Sequence, residues 1–238
     1  MFRFASTLLL LFLFTVPALA QDKPGVVFIA GGAGGIMNLS GFTKWALRQV
    51  DSQHEVRDFN WTHGKGRVVR DIQDIRHLVE KANELAEQIM EYQATHPDRP
   101  IYLVGKSTGA MIVLLAAEKL PPASLERIIL LSAAVSPGYD LSPALKSTRV
   151  EIVSFHSKLD VAVLNWATSL VGTADRYYSK SAGLTGFTIQ PEPDYQRLKQ
   201  IAWSPNNVWH GHLGGHLGNG MPLFLLYEVT PFLDARKK

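Results

Sequence analysis

Cysteine is absent from the 238-residue sequence. Its absence excludes disulfide bonds, zinc–thiolate sites and catalysis by a thiolate nucleophile. It also excludes attachment of a lipid to a cysteine at the start of a processed chain. Any covalent catalysis by this protein therefore depends on another nucleophile, such as a serine hydroxyl.

The sequence also lacks a strong excess of charge of one sign, because 24 lysine and arginine residues stand against 21 aspartate and glutamate residues. The basic residues form no long runs and do not alternate with aromatic residues, as they do in many nucleic-acid-binding surfaces. Internal repeats are absent as well. The sequence therefore predicts no nucleic-acid partner.

A pronounced apolar run lies at the amino terminus, over residues 8–16. It follows the positively charged Arg3 and precedes Ala-Leu-Ala at residues 18–20, which has the small-x-small pattern of a signal-peptidase site. The run is shorter than the ~20 apolar residues that a membrane-spanning helix requires. Stable insertion into a membrane is therefore not expected.

These features predict a signal peptide over residues 1–20 and a mature chain that begins at Gln21. The protein is then exported, to the periplasm or as a secreted protein. An uncleaved amino-terminal anchor is the alternative. Residues 21–238 have a length that suits one α/β domain.

Apolar stretches typical of buried strands alternate with helical patterns along this domain. One helical pattern places apolar residues at steps of three and four between Ile72 and Ile89, and two others cover residues 110–120 and 222–233. The strands are apolar on both faces, which favours a parallel sheet covered by helices on both sides. The predicted strands lie at residues 26–30, 54–61, 101–104, 127–135, 150–155 and 199–203.

The most informative motif is Gly105-Lys106-Ser107-Thr108-Gly109, which lies between a predicted strand and a predicted helix. G-x-S-x-G on a strand-to-helix turn is typical of a nucleophile elbow, in which the turn exposes the serine. We therefore expect Ser107 to be a nucleophile, and the alternative is a serine that only caps the helix. The backbone N–H of Thr108 then points at the negative charge that develops during acyl transfer.

A serine nucleophile needs a base and an acid that orients the base. Asp160 directly follows a predicted strand, at the sheet edge where open α/β folds place their sites. Asp140 and Asp175 are the alternative acids. A glycine-rich loop at residues 209–218 supplies the candidate bases, which are His210, His212 and His216.

Together these residues resemble the α/β-hydrolase family, in particular its small, single-domain, secreted bacterial members. The resemblance rests on the glycine-rich loop at residues 31–35, the elbow around Ser107, the late acid and Gly-Gly-His-Leu-Gly before the last helix. It implies an α/β-hydrolase fold with a mostly parallel sheet, helices on both faces and little or no cap. It also implies that His216 is the base and that the backbone N–H of Ala33 joins that of Thr108 in the oxyanion hole.

One position departs from this resemblance, because Lys106 stands where the family often has histidine. We expect the lysine to make the site more electropositive. We also expect Gly215 and Gly218 to let the backbone bring His216 close to the elbow. His63 follows the second predicted strand and either lines the pocket or lies in a turn.

Two other chemistries compete with the triad. His210, His212 and His216 have a spacing that suits zinc, but no further anchoring motif accompanies them. The glycine-rich loop at residues 31–35 suits a dinucleotide phosphate, but Met37 stands where the third small residue of that motif belongs. Residues 164–195 fit the strand–helix rhythm poorly, and they form either a flap over the site or a surface excursion.

The sequence therefore predicts a serine hydrolase that cleaves a small-molecule or lipid ester with Ser107, Asp160 and His216. This chemistry needs neither a metal nor an organic cofactor. A catalytically silent binding protein of the cell envelope and an acyltransferase are the alternatives.

Overall fold

The structure is a computed structural model. It describes residues 23–161, 173–175 and 180–234. The predicted signal peptide and Gln21 lie outside these ranges, as do residues 164–172 and 176–179 of the segment expected to form a flap or a surface excursion. Of the helices that the described ranges contain, none has both the length and the apolar character to cross a membrane.

A six-stranded sheet forms the centre of the described residues, in the order β2-β1-β3-β4-β5-β6 with every neighbouring pair parallel. The register pairs Val26 of the first strand with Glu55 on one side and Ile101 on the other. The strands are β1 (Val26–Ala30), β2 (Glu55–Asp58), β3 (Ile101–Lys106), β4 (Leu125–Leu131), β5 (Thr148–His156) and β6 (Leu198–Ala202).

Helices cover both faces of the sheet. They are α1 (Leu39–Gln49), α2 (Val68–Gln73), α3 (Ile75–Thr95), α4 (Gly109–Ala117), α5 (Ser142–Ser147), α6 (Ala182–Thr185), α7 (Pro222–Phe224) and α8 (Thr230–Leu233). A π-helical segment (Leu225–Val229) joins α7 to α8. Short 3-10 segments lie at Ala33–Gly35, Pro193–Arg197, Pro205–His210 and Gly218–Gly220.

Successive side chains of each strand enter two different cores, because side chains alternate across a sheet. Phe28 and Leu103 pack with α3 and α4 on one face. Ile29 and Val104 pack with α1 and the carboxyl-terminal helices on the other face. The predicted parallel sheet with helices on both sides is therefore confirmed.

Several element boundaries differ from the sequence-based prediction. The second strand is confined to Glu55–Asp58. The long predicted helix is divided at Asp74, which has non-helical dihedral angles and whose side chain accepts a hydrogen bond from the His77 N–H to begin α3. The last predicted helix contains a π-helical segment that ends two residues before Pro231, which has no N–H to donate to the preceding turn.

The order in which the strands are added to the sheet changes direction at β1. β2 lies on one side of β1 and β3 lies on the other, so the loops that follow β1 and β3 separate at their carboxyl ends. Such a point leaves a crevice in which α/β proteins place their ligands. The loop after β1 carries Gly31–Gly35, and the loop after β3 carries Ser107.

Candidate active site

Ser107 occupies a strained turn between β3 and α4. Its φ angle is +53°, in the left-handed region that non-glycine residues rarely adopt. The turn is held on both sides, because the Ser107 N–H donates to Leu131 O at 3.0 Å and its carbonyl accepts from the N–H groups of Ala110 and Ala134, each at 3.1 Å. Such strain persists only where the surroundings enforce it, and it is concentrated at functional sites.

The two glycines of the elbow are required by close packing. A Cβ on Gly105 would lie 2.6 Å from Val113 Cγ2, and a Cβ on Gly109 would lie 2.2 Å from the carbonyl oxygens of Ala30 and Gly31. Helix α4 therefore begins directly against the ends of β3 and β1. Residues without a side chain at both positions are what allows the strand and the helix to approach so closely.

His216 and Asp160 are brought together across the carboxyl edge of the sheet. His216 Nδ1 lies 2.8 Å from Asp160 Oδ2, and the aspartate is 1% exposed. Burial lowers the pKa of His216, and its hydrogen bond to Asp160 opposes this effect. With Nδ1–H donating to the carboxylate, Nε2 carries the lone pair that a general base needs.

Asp140 and Asp175, the alternative acids, are engaged elsewhere. Asp140 Oδ1 accepts from the Ser142 N–H at 2.9 Å and from the Tyr195 hydroxyl at 3.4 Å. Asp175 accepts from the N–H of Ser136 at 2.9 Å and also from its hydroxyl. Both carboxylates are therefore bound to other partners, Asp140 within a local turn and Asp175 to a distant loop, and Asp160 is the candidate that contacts an imidazole of the histidine loop.

The other histidines of the loop have different surroundings. His210 Nδ1 lies 2.7 Å from Glu228 Oε1, and its ring stacks on Tyr227. His212 is buried against Phe224, and burial lowers its pKa to about 4. The three imidazoles do not converge, and the described ranges contain no group of three His, Asp or Glu side chains that could hold a metal ion.

The glycines of the histidine loop act differently from the expectation. Gly214 has a φ of +93°, and a Cβ there would lie 2.6 Å from Leu159 Cδ1, next to the acid. A Cβ on Gly218 would lie 1.9 Å from His212 Nδ1, whereas Gly215 faces open space. The expectation for Gly215 is therefore wrong. Gly214 brings the histidine loop against the acid loop, and Gly218 makes room for the buried His212.

The loop after β1 lies against the elbow. A Cβ on Gly32 would come 3.6 Å from Ser107 Cβ, so this backbone borders the serine directly. Within the described part of the chain, the N–H groups of Ala33 and Thr108 donate to no protein acceptor. Both N–H groups are therefore free to donate to a bound acceptor.

Asp71 fixes the shape of this loop, and sequence reasoning did not assign it to the site. Its carboxylate is fully buried and accepts from the N–H of Gly34 at 2.6 Å and from the N–H of His63 at 2.8 Å. His63 Nδ1 lies 2.9 Å from the same carboxylate. Gly34 has a φ of +76°, so the carboxylate stabilises the loop at a left-handed position. Acidic residues are favoured near the start of a helix by the helix dipole, so the sequence alone gave no reason to expect this contact.

Lys106 lies inside the protein, beneath the histidine loop. Its side chain is 2% exposed, and Nζ donates to the carbonyl oxygen of His216 at 2.7 Å and to Asn219 Oδ1 at 2.6 Å. Burial lowers the pKa of Lys106 to about 8, and the negative charge of Asp160 opposes this effect. The positive charge of Lys106 therefore lies inside the protein next to the site, and not on the solvent-exposed surface of the site.

A cavity of about 430 Å³ opens beside the loop that follows β1. Its wall includes Gly31 and Gly32 and the polar residues Asn38, Asn60 and Thr62. Ser107 does not line this cavity, but Gly32, which does, borders the serine.

Solved structures similar to this chain include a lipase-esterase related protein from Clostridium acetobutylicum ATCC 824. That protein is 13% identical, with a TM-score of 0.51 over 89% of this chain and 96% of its own. TT1662 from Thermus thermophilus is 15% identical, with a TM-score of 0.51 over 91% of this chain and 92% of its own. At these identities the likeness shows the fold alone. The sequence matches none of the curated proteins.

A family model described as serine aminopeptidase, S33, matches residues 54–185. The match begins just before β2 and includes the elbow and Asp160. It covers more than half of the chain, so the chain belongs to this family of α/β-hydrolases.

Proposed function

We propose that this hydrolase cleaves carboxylic esters through an acyl-serine intermediate. The observation that carries the proposal is the 2.8 Å contact between His216 and Asp160. The backbone of His216 is bonded to Lys106, the residue that immediately precedes the strained Ser107. The proposed nucleophile, acid and base also follow the order along the chain that is typical of α/β-hydrolases.

In the first half-reaction, Ser107 Oγ attacks the acyl carbon of the ester while His216 Nε2 accepts the hydroxyl proton. The buried Asp160 carboxylate stabilises the imidazolium that results. The N–H groups of Thr108 and Ala33 donate to the oxygen of the tetrahedral intermediate. When this intermediate collapses, the bond to the leaving oxygen breaks, and the imidazolium gives its proton to the departing alcohol.

In the second half-reaction, water replaces the alcohol. His216 takes a proton from the water as its oxygen attacks the acyl carbon, and it returns that proton to Ser107 Oγ when the acyl–serine bond breaks. The carboxylic acid leaves and the enzyme is restored. Every proton transfer uses one imidazole.

The residues on the two sides of the site indicate where the acyl group and the alcohol of the ester would bind. Leu159, Leu213 and Leu217 lie close in sequence to the acid or the histidine and are 54%, 74% and 60% exposed. The cavity beside Gly31 and Gly32 has polar side chains in its wall. We propose an apolar acyl group on the leucine side and a polar alcohol in the cavity.

Steady-state hydrolysis of p-nitrophenyl esters tests the proposal. Wild-type protein should release p-nitrophenolate from acetyl and butyryl esters, and Ser107→Ala should not. Ser142→Ala, at the start of α5, is the matched control and should retain wild-type activity. Equal turnover by wild type and Ser107→Ala would show that the serine is not the nucleophile.

Amide cleavage is the second candidate, because the matching family carries the description of a serine aminopeptidase. The same nucleophile, base and oxyanion donors suit an amide, provided that the imidazolium protonates the leaving amine. Comparing kcat/KM for p-nitrophenyl butyrate and for aminoacyl p-nitroanilides separates the two. We expect the ester to be preferred, and a preference for the anilides would reverse this assignment.

We further propose that the protein is exported. The support is the sequence of residues 1–20, with its positive start, apolar run and small-x-small site.

A further inference from the structure

Lys106 is the one buried lysine or arginine in the described part of the chain. Removing an ammonium ion from water costs several kcal/mol unless close partners compensate. An apolar side chain of the same length would avoid this cost. The position therefore calls for a reason other than stability.

The partners of Lys106 belong to the loop that carries the proposed base. One of its two hydrogen bonds, at 2.7 Å, is to the carbonyl oxygen of His216 itself. The other, at 2.6 Å, is to Asn219 Oδ1, a side chain that is 1% exposed. One ammonium group therefore fixes two points of the loop, on and just after the base.

Asn219 extends this attachment to the neighbouring strands. Its Nδ2 donates to Ser132 Oγ at 2.6 Å, and Ser132, with a φ of +46°, directly follows β4. The Ser132 N–H donates to Phe155 O in β5. The histidine loop is thus fastened to the ends of β3, β4 and β5 through one lysine and one asparagine.

The loop also packs closely on the lysine stem. A Cβ on Gly220 would lie 3.4 Å from Lys106 Cδ and 2.3 Å from Met37 Sδ. The lysine stem is therefore in ordinary van der Waals contact with the chain at Gly220, and a larger residue there would first displace the flexible end of Met37.

The charges around Lys106 belong to the proposed acid and to the histidine loop. Asp160, from the loop after β5, raises the pKa of Lys106, in opposition to burial. The positive charge of Lys106 in turn lowers the pKa values of His212 and His216. Asp160 Oδ1 is buried and has no hydrogen-bond partner among the described residues, so the nearby ammonium charge compensates part of its negative charge.

We infer that Lys106 is a positioning residue of the active site. Its ammonium group holds the backbone of His216 beside the elbow and, by its charge, favours the neutral imidazole that accepts the serine proton. Lys106 acts through His216 and does not touch the substrate. This inference rests on the proposed function, because it assigns Lys106 to the same triad.

The experiment compares four variants with wild type. Lys106→Met removes donor and charge but keeps the length of the stem, and Lys106→Gln keeps a donor without the charge. Asn219→Ala keeps the charge and removes one anchor. Lys119→Met, at an exposed lysine after α4, is the matched control. Each protein is measured for p-nitrophenyl acetate hydrolysis between pH 5 and 9, for thermal unfolding, and for the titration of the His216 ring by NMR.

For Lys106→Met we expect kcat to fall on the order of 10-fold or more, with KM within about twofold, by analogy with lost transition-state interactions. The acid limb of kcat/KM should move to higher pH, because the imidazole loses a neighbouring positive charge. The melting temperature should also fall, because the buried acceptors on His216 and Asn219 lose their donor and Asp160 loses a compensating charge. Lys106→Gln should have a higher kcat than Lys106→Met, but its acid limb should lie at the same raised pH because it also lacks the charge.

Asn219→Ala separates anchoring from charge. Its kcat should fall while its acid limb stays at the wild-type position, and this comparison holds even if Lys106→Met does not fold. Lys119→Met should match wild type in every measurement. Wild-type kcat together with an unmoved acid limb in Lys106→Met and Lys106→Gln would overturn the inference.

The NMR titration keeps this inference separate from the proposed function. If wild-type protein hydrolyses no ester, the proposed function fails, but the His216 ring must still titrate at a higher pH in the Lys106 variants than in wild type. Identical His216 titrations in wild type and both Lys106 variants would contradict the positioning role, whatever the activity.

Discussion

At the scale of single residues, the contact with Asp160 distinguishes His216 from the other two histidines of its loop. The three histidines of the loop cannot be distinguished by motif alone, and the resemblance to α/β-hydrolases selected the last. The structure places that histidine 2.8 Å from Asp160. His210 instead contacts Glu228, and His212 is buried.

Substitution of the histidines one at a time follows from this arrangement. His216→Ala should lower ester turnover on the order of 10³-fold or more, as other triad deletions do. His210→Ala should retain most activity because its partner, Glu228, belongs to the π-helical segment. Ester hydrolysis by both variants, with and without EDTA, is the measurement. A common loss in both, together with inactivation of wild type by EDTA, would favour a metal site instead.

Sequence reasoning reached Ser107 and Asp160 because each stands in a local pattern, a glycine-flanked turn and the end of a strand. The glycine-rich loop gave three candidate histidines, and the resemblance to α/β-hydrolases chose His216 among them. Sequence reasoning did not reach the contacts of Asp71 and Lys106. Asp71 binds the backbone N–H of Gly34, and Lys106 binds the backbone carbonyl of His216. Because nearly every residue has the same backbone groups, a side chain that binds a backbone atom cannot be recognised from residue types, and these contacts are seen only in the structure.

At the scale of elements, the junction between β3 and α4 sets the position of Ser107, the proposed nucleophile. The apolar strand and helix on either side of the elbow are both strong sequence signals, and both were predicted. Helix α1 (Leu39–Gln49) was not predicted, because its buried side includes the polar Thr43 next to Leu39, Ala46 and Leu47. The π-helical segment was missed because π-helical turns have no period that a sequence displays.

Gly109→Ala tests the close approach of α4 to β1. The added methyl group would lie 2.2 Å from two backbone oxygens, which cannot move aside as a flexible side chain does. We expect a loss of about 1–3 kcal/mol in the free energy of unfolding. Gly138→Ala is the matched control, because a Cβ there meets nothing within 4 Å. Urea unfolding of both variants is the measurement, and equal midpoints would contradict the close approach.

At the scale of the whole molecule, the stability of the fold should depend on pH through its buried histidine. Burial lowers the pKa of His212 to about 4, below its ordinary value of 6.5. Between these values the unfolded chain binds a proton that the folded chain does not, so stability falls as pH decreases from about 6.5 towards 4. The expected loss is about 3 kcal/mol from this group.

Urea unfolding at pH 7 and at pH 4.5 measures this dependence. His212→Asn is the comparison, because its amide oxygen replaces the Nδ1 atom that accepts from the Gly214 N–H at 3.2 Å. The variant should lose less stability between the two pH values than wild type does. An equal loss in both proteins would assign the acid sensitivity to other groups.

The proposed export also concerns the whole molecule. Mass spectrometry of protein purified from a host that processes bacterial signal peptides should give a chain that begins at Gln21. Ala20→Phe should block this cleavage, because the signal-peptidase site requires a small residue there. Residues 1–20 still attached to the purified wild-type protein would favour an amino-terminal anchor.

Labelling with a fluorophosphonate tests the central claim most directly, because the reagent reacts with an activated serine and requires no knowledge of the substrate. Intact-mass analysis should show one adduct per wild-type chain. Ser107→Ala should show none, and Ser142→Ala should label as wild type does. An adduct on Ser107→Ala, or an unlabelled wild-type chain, would contradict the account of Ser107 as a nucleophile activated by His216 and Asp160.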